Sequence, residues 1–292
     1  MKGSTSDPER KEGDLVKKLL GVIGAVGLVL LAVTGAAGAR SQAARIQIVA
    51  TMVAGDEVPT PKGDVGSARG SFTATLTKSD TGAVLNWQLS FGNLTGDAVA
   101  AHIHIAARGV AGPVVVPLCA PCTSGVTGTA NINATVLEAI QNDRAYVNVH
   151  TKTNPAGEIR DQVSPAATLK TSLRAAQERP KPKGKLGRAR GAFTVTITKK
   201  GSSAVLAWRL TFSGLTGKAV AAHIHSGARG KSGPVIVSLC APCKSGARGT
   251  ATVDASVLNA LEAGRGYVNV HTAKNPAGEI RGQLGAAALT LS

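Results

Sequence analysis

The feature that most constrains the fold is an internal repeat of long period. Phe72, Trp87, His102, His104, Cys119, Cys122, Tyr146, His150 and Glu158 recur as Phe193, Trp208, His223, His225, Cys240, Cys243, Tyr267, His271 and Glu279, each pair 121 residues apart. An offset that holds over the whole span means two copies aligned without insertion. A period this long is a duplicated domain rather than one turn of a solenoid. The copies are expected over residues 45–163 and 169–292, joined by the short connection Ser164-Pro-Ala-Ala167.

Each copy reads as β-structure. Phe72-Thr-Ala-Thr-Leu-Thr77 and Phe193-Thr-Val-Thr-Ile-Thr198 alternate apolar residues with threonine, the pattern of a half-buried strand. Further short apolar runs follow, separated by Gly, Pro and Asn turns. Only Ala134 to Asn142 shows helical spacing, with Asn133, or Asp254 in the second copy, placed to cap it. The expected fold class is all-β: two tandem immunoglobulin-like or superoxide-dismutase-like domains, each a sandwich or barrel with one short helix.

Residues 1–40 form an export segment. Lys17 and Lys18 precede an uncharged, mostly apolar run from Leu19 to Ala39, with Ala37-Gly-Ala39 at its end and Arg40 behind it. The run fits a cleaved signal peptide, and it is also long enough for a retained N-terminal membrane anchor. Either way the rest of the chain is expected outside, secreted or held at the cell surface.

In an exported chain Cys119-Ala-Pro-Cys122 and Cys240-Ala-Pro-Cys243 are most simply two short disulfides. A zinc site and a thioredoxin-like redox pair are the alternatives. The first would need more ligands than one CxxC supplies, and the second a βαβ unit.

All six histidines lie in the repeated motifs. His102-Ile-His104 puts two imidazoles on one face of a strand, and His223-Ile-His225 does the same. Tyr146-Val-Asn-Val-His150 also alternates. If it forms a hairpin with Glu158-Ile-Arg-Asp-Gln162, keeping Val149 and Ile159 on one face pairs His150 with Glu158, Asn148 with Arg160 and Tyr146 with Gln162. One reading is a hydrogen-bonded polar network. The other is a copper or zinc site on His102, His104 and His150, repeated on His223, His225 and His271, with Glu158 and Glu279 orienting the ligands from behind. No nucleophile–base pair or phosphate-binding loop appears, so a catalytic role rests only on a distant likeness to a metal-dependent dismutase.

Four segments together resemble the CHRD domain, named after chordin and found also in exported bacterial proteins. They are Ala101-His-Ile-His104, Gly112-Pro-Val-Val-Val-Pro-Leu118, Tyr146-Val-Asn-Val-His-Thr151 and Asn154-Pro-Ala-Gly-Glu-Ile-Arg160, each matched in the second copy. The first copy departs from the pattern at Ala106 and Asp161, where the second has Gly227 and Gly282. The resemblance implies an extracellular, non-enzymatic β-domain that binds a partner, as the chordin members bind growth factors. The partner expected here is an envelope or extracellular protein or polyanion.

The net charge of +16 is unevenly spread. Residues 41–162 carry eight Lys and Arg against nine Asp and Glu, whereas residues 163–292 carry nineteen against four. Arg179, Lys181, Lys183, Lys185, Arg188 and Arg190 form one proline-interrupted cluster, either a solvated loop or a contact for a polyanion. No aromatic residue is interleaved with it, which speaks against nucleic acid.

Overall fold

The computed structural model describes residues 45–290; the export segment expected over residues 1–40 lies outside them. In the first copy β1 (Arg45–Val53), β2 (Arg69–Ser79), β3 (Gly82–Gly92) and β6 (Val126–Asn133) form one antiparallel sheet in the order β6-β3-β2-β1. β4 (Ala98–Ile105), β5 (Val114–Cys119), β7 (Ala145–Thr151) and β8 (Ile159–Gln162) form the other in the order β5-β4-β7-β8. The second copy repeats this with β9 (Ser164–Arg174), β10 (Arg190–Lys200), β11 (Ser203–Ser213) and β14 (Arg248–Val253) facing β12 (Ala219–Ser226), β13 (Val235–Cys240), β15 (Gly266–Thr272) and β16 (Asn275–Gln283).

Alternation decides which residues face inward. In β1 the buried positions are Ile46, Ile48, Ala50 and Met52, with more exposed residues between them. They meet Phe72, Leu76, Leu85 and Leu89 of their own sheet, and Ala101, Ile103, Val147, Val149 and Ile159 of the opposite one. Trp87 stacks near Phe72 and covers Gly128, where a Cβ would sit 2.4 Å from the indole. Gly249 and Trp208 repeat that close approach, so the glycine is there because the ring occupies the side-chain space.

The barrel alternative does not hold. Val53 pairs with Arg160, and Arg174 with Arg281, so the two sheets of each copy join at one corner. β5 and β6 do not pair, nor do β13 and β14, so each copy is an open sandwich. The one helix expected per copy is present as α1 (Ala134–Gln141) and α2 (Ala255–Glu262). Asn133 Oδ1 accepts from Val136 N at 3.0 Å, and Asp254 Oδ1 from Ser256 N and Val257 N, so both residues cap as their spacing indicates. No helix among the described residues is long and apolar enough to cross a membrane.

The expected connection at residues 164–167 is not a loop. β9 begins at Ser164, and its first residues pair with β1 through Gln47 with Ala166, Ile48 with Pro165 and Val49 with Ser164. From Ala166 onward the same strand pairs with β10. The order β6-β3-β2-β1-β9-β10-β11-β14 is therefore one sheet running through both copies. Because the ladder is shared, we expect calorimetry to show one cooperative unfolding transition, with Ile48→Ala destabilising it by ~3 kcal/mol. Two separately melting peaks would contradict that coupling.

Candidate functional site

β4 lies beside β7, with His102 opposite Asn148 and His104 opposite Tyr146. That adjacency, which sequence alone does not specify, brings the HxH strand to the third histidine. Ile103 points into the core at 0% exposure, leaving both imidazoles on the other face. The side-chain nitrogens offered by His102, His104 and His150 lie within 4.8 Å of one another, as do those of His223, His225 and His271.

The hydrogen bonds of the rings fix their tautomers. His104 Nδ1 lies 2.9 Å from Gly112 O, and His150 Nδ1 lies 3.0 Å from Pro155 O. A carbonyl only accepts, so each Nδ1 carries the proton and each Nε2 presents a lone pair. His150 Nε2 is 3.1 Å from His102 Nδ1. His104 stacks on Tyr146 at 4.7 Å between ring centres, and the Tyr146 hydroxyl accepts from Gly112 N, so the ring is clamped from two sides. His225, His271 and His223 repeat these bonds at 2.9, 2.9 and 3.1 Å. Among the described residues the buried Nε2 atoms of His104 and His225 have no hydrogen-bond partner, and neither do Oδ1 of Asn148 and Asn269.

The hairpin register is the expected one at Tyr146 with Gln162 and at Asn148 with Arg160. Beyond Val149–Ile159 the ladder gives way to the turn, and His150 and Glu158 do not pair. Glu158 therefore does not hold His150. Its carboxylate is fully buried and accepts from Thr95 N at 2.6 Å, Thr151 Oγ1 at 2.6 Å, Asn154 Nδ2 at 2.9 Å and the Thr95 hydroxyl. Burial pushes this carboxyl upward, but those donors outweigh it and hold it below the usual range. Glu279 is held by Thr216, Thr272 and Asn275 in the same way. The influence on His150 runs through the backbone: Glu158 fixes the turn, and the turn supplies the Pro155 carbonyl.

Every residue of β7 is buried, those of its polar face included. A short 3-10 turn at Ala54–Asp56 carries Glu57 over that face, where it is 4% exposed. Glu57 lies so close above Gly157 that a Cβ there would sit 2.3 Å from its Oε2, and Gly157 has φ +130°. Arg160 lies over Tyr146 at 3.3 Å from its ring and donates to Ala107 O, while Gln162 Nε2 donates to Ala106 O. Glu57 and Thr95 were missed in the sequence because they lie far from the motifs. Their recurrence as Glu178 and Thr216 at the 121-residue offset was the available signal.

The cysteines stand apart from this site as two disulfides, Cys119–Cys122 and Cys240–Cys243, with no free cysteine among the described residues. Paired sulfurs are not zinc ligands, so the zinc alternative for CxxC falls. Cys122 N donates to Ala98 O at 3.0 Å, fastening the loop to the start of β4.

Burial lowers the pKa of all six histidines, His150 to about 4. The metal-free fold holds them neutral while the unfolded chain protonates near 6.5, so stability is present above pH 6.5 and falls as pH drops toward 4. We expect the thermal midpoint of metal-free protein to decline across that window; a flat profile contradicts it. Glu158→Gln should cost ~2 kcal/mol in urea unfolding, because it removes the charge that four donors converge on.

The CHRD domain family model matches the chain twice, over residues 48–163 and 169–284. The chain belongs to the CHRD family and carries two tandem copies of its domain. CHRD domains are extracellular-type binding domains rather than an enzyme family. No curated protein matches the chain.

Proposed function

We propose that this two-domain CHRD protein is an exported, non-enzymatic binding protein, and that each domain holds one copper or zinc ion on three imidazoles. The ligands are His102, His104 and His150 in the first domain and His223, His225 and His271 in the second. The observation that carries this reading is the buried, unpartnered Nε2 of His104 and of His225. A network of hydrogen bonds alone accounts for His102 with His150; at this lone pair the neighbouring Asn148 side chain, Asn269 in the second domain, makes no bond of good geometry.

The surroundings favour a cation at that point. Backbone carbonyls at both Nδ1 atoms orient the rings from behind, as the outer partners of metal-bound histidines do. Two nitrogens on one tetrahedral ion, each ~2.0 Å from it, lie ~3.3 Å apart. The 3.1 Å between His102 Nδ1 and His150 Nε2 is close to that value. Because their pKa values are lowered, the rings are neutral near pH 7, and for His102 Nδ1 to bind a metal that ring need only shift its single proton to Nε2. Imidazole donors suit copper and zinc. His102 is only half-buried, so the site is reachable from outside.

Export is supported by the extracellular character of CHRD domains and by the basic-then-apolar sequence of residues 17–40. Cleavage after Ala39 or retention as an anchor gives the same topology.

The full chain, purified and titrated with copper and with zinc, is expected to take up two ions. His104→Ala should leave one, and His104→Ala with His225→Ala none, with circular dichroism unchanged. Failure of the unsubstituted protein to retain either metal at micromolar concentration would overturn the metal reading and leave the hydrogen-bonded network.

A further inference from the structure

Arg108 and Arg229 occupy the same position in the two domains and have opposite surroundings. Arg108 is clamped between two carboxylates, donating from Nη1 to Asp56 Oδ2 at 3.0 Å and from Nη2 to Asp161 Oδ1 at 2.8 Å. Asp161 is itself held by Thr51 N. In the second domain those two acids are replaced by Gln177 and Gly282. Arg229 is exposed and has no carboxylate partner among the described residues.

The second domain also carries cations that the first lacks. Arg179 stands in place of Val58, Lys231 in place of Val110 and Lys274 in place of Thr153, all of them exposed. Two loops bring Arg179, Arg229 and Lys231 together. Arg281, stacked 3.4 Å over the Tyr267 ring, donates to Lys231 O at 2.8 Å and to Ala228 O at 3.2 Å, fixing the loop that bears Arg229 and Lys231. Ser232 Oγ donates to Arg179 O at 2.8 Å, drawing the proline-rich loop against it. Asn275 holds that loop farther along by accepting from Lys183 N and donating to Lys183 O. A Cβ on Gly184 would sit 3.1 Å from Lys274 Nζ, so Lys274 lies against the farther part of that loop. The buried Glu178 offsets part of the charge of Arg179 and Arg281; the exposed cations left over repel one another, and an anion relieves the repulsion.

We propose that the second domain binds a linear polyanion of phosphate or carboxylate groups on a face centred on Arg229, Arg179 and Lys231, and that the first domain does not because its arginine is neutralised from within. The charges run on along the proline-interrupted loop at alternate positions, which suits an extended polymer. The exposed large apolar side chains of this domain among the described residues are Val220 and Val235, on β12 and β13 rather than on these loops. An apolar wedge for a bilayer is therefore not part of the face.

Long-chain polyphosphate, titrated against the full chain at several salt concentrations, tests this, with phosphatidylglycerol vesicles in parallel. Arg229→Gln with Lys231→Gln should weaken polyphosphate binding about tenfold and reduce the salt slope by roughly two. Gln177→Asp, which restores an acid that the first domain carries, should weaken it as well. Arg108→Gln should leave it unchanged, and copper and zinc uptake should be unaffected in all variants, which separates this face from the histidine site. Variants that bind as tightly as the parent, or a parent that binds the vesicles and not polyphosphate, would overturn the proposal.

Discussion

A fully buried carboxylate organises each domain. Glu158 makes no ion pair among the described residues; its charge is balanced by backbone, hydroxyl and amide donors gathered from the β3–β4 loop, the end of β7 and the following turn. A buried charge is tolerable only when such donors are in place, so the carboxylate dictates where the loop and the turn must sit. With the turn set, the Pro155 carbonyl faces His150, and the direction of that imidazole's lone pair follows. The orientation of one of the three histidines is thus a consequence of a charge buried one residue outside the ladder.

The same covered polar layer marks where sequence reading stops. Alternation along β7 correctly places Tyr146, Asn148 and His150 on one face, and the need to keep Val149 with Ile159 correctly gives the partners Gln162 and Arg160. Alternation assigns faces but does not say what lies over them. The turn that carries Glu57 is three residues long and has no periodic signal, and its target, Gly157, is a hundred residues away. The adjacency of β4 to β7 is likewise a matter of sheet order, which local pattern does not encode. The helix caps were readable because they act within a single turn.

Duplication has left the two domains alike inside and different outside. Ring stacking, the carbonyl partners of the histidines and the donor cage of the glutamate agree between the copies to a few tenths of an ångström. The surface has moved from the acid-clamped arginine of one copy to the unneutralised arginine of the other. A scaffold fixed by internal polar bonds tolerates such change, because exposed charges contribute little to its stability.

The strand β9 serves the edge of one sandwich and the body of the next. Cutting the chain after Val163, where the first family match ends, would strip Ser164, Pro165 and Ala166 from Gln47, Ile48 and Val49, baring backbone donors and acceptors on a strand whose inner face is apolar. Bare edges of this kind recruit other strands, so an isolated first domain would be prone to pair with copies of itself. The second domain is in this sense the first one's edge guard, a reason for the pair to be inherited and handled as one piece.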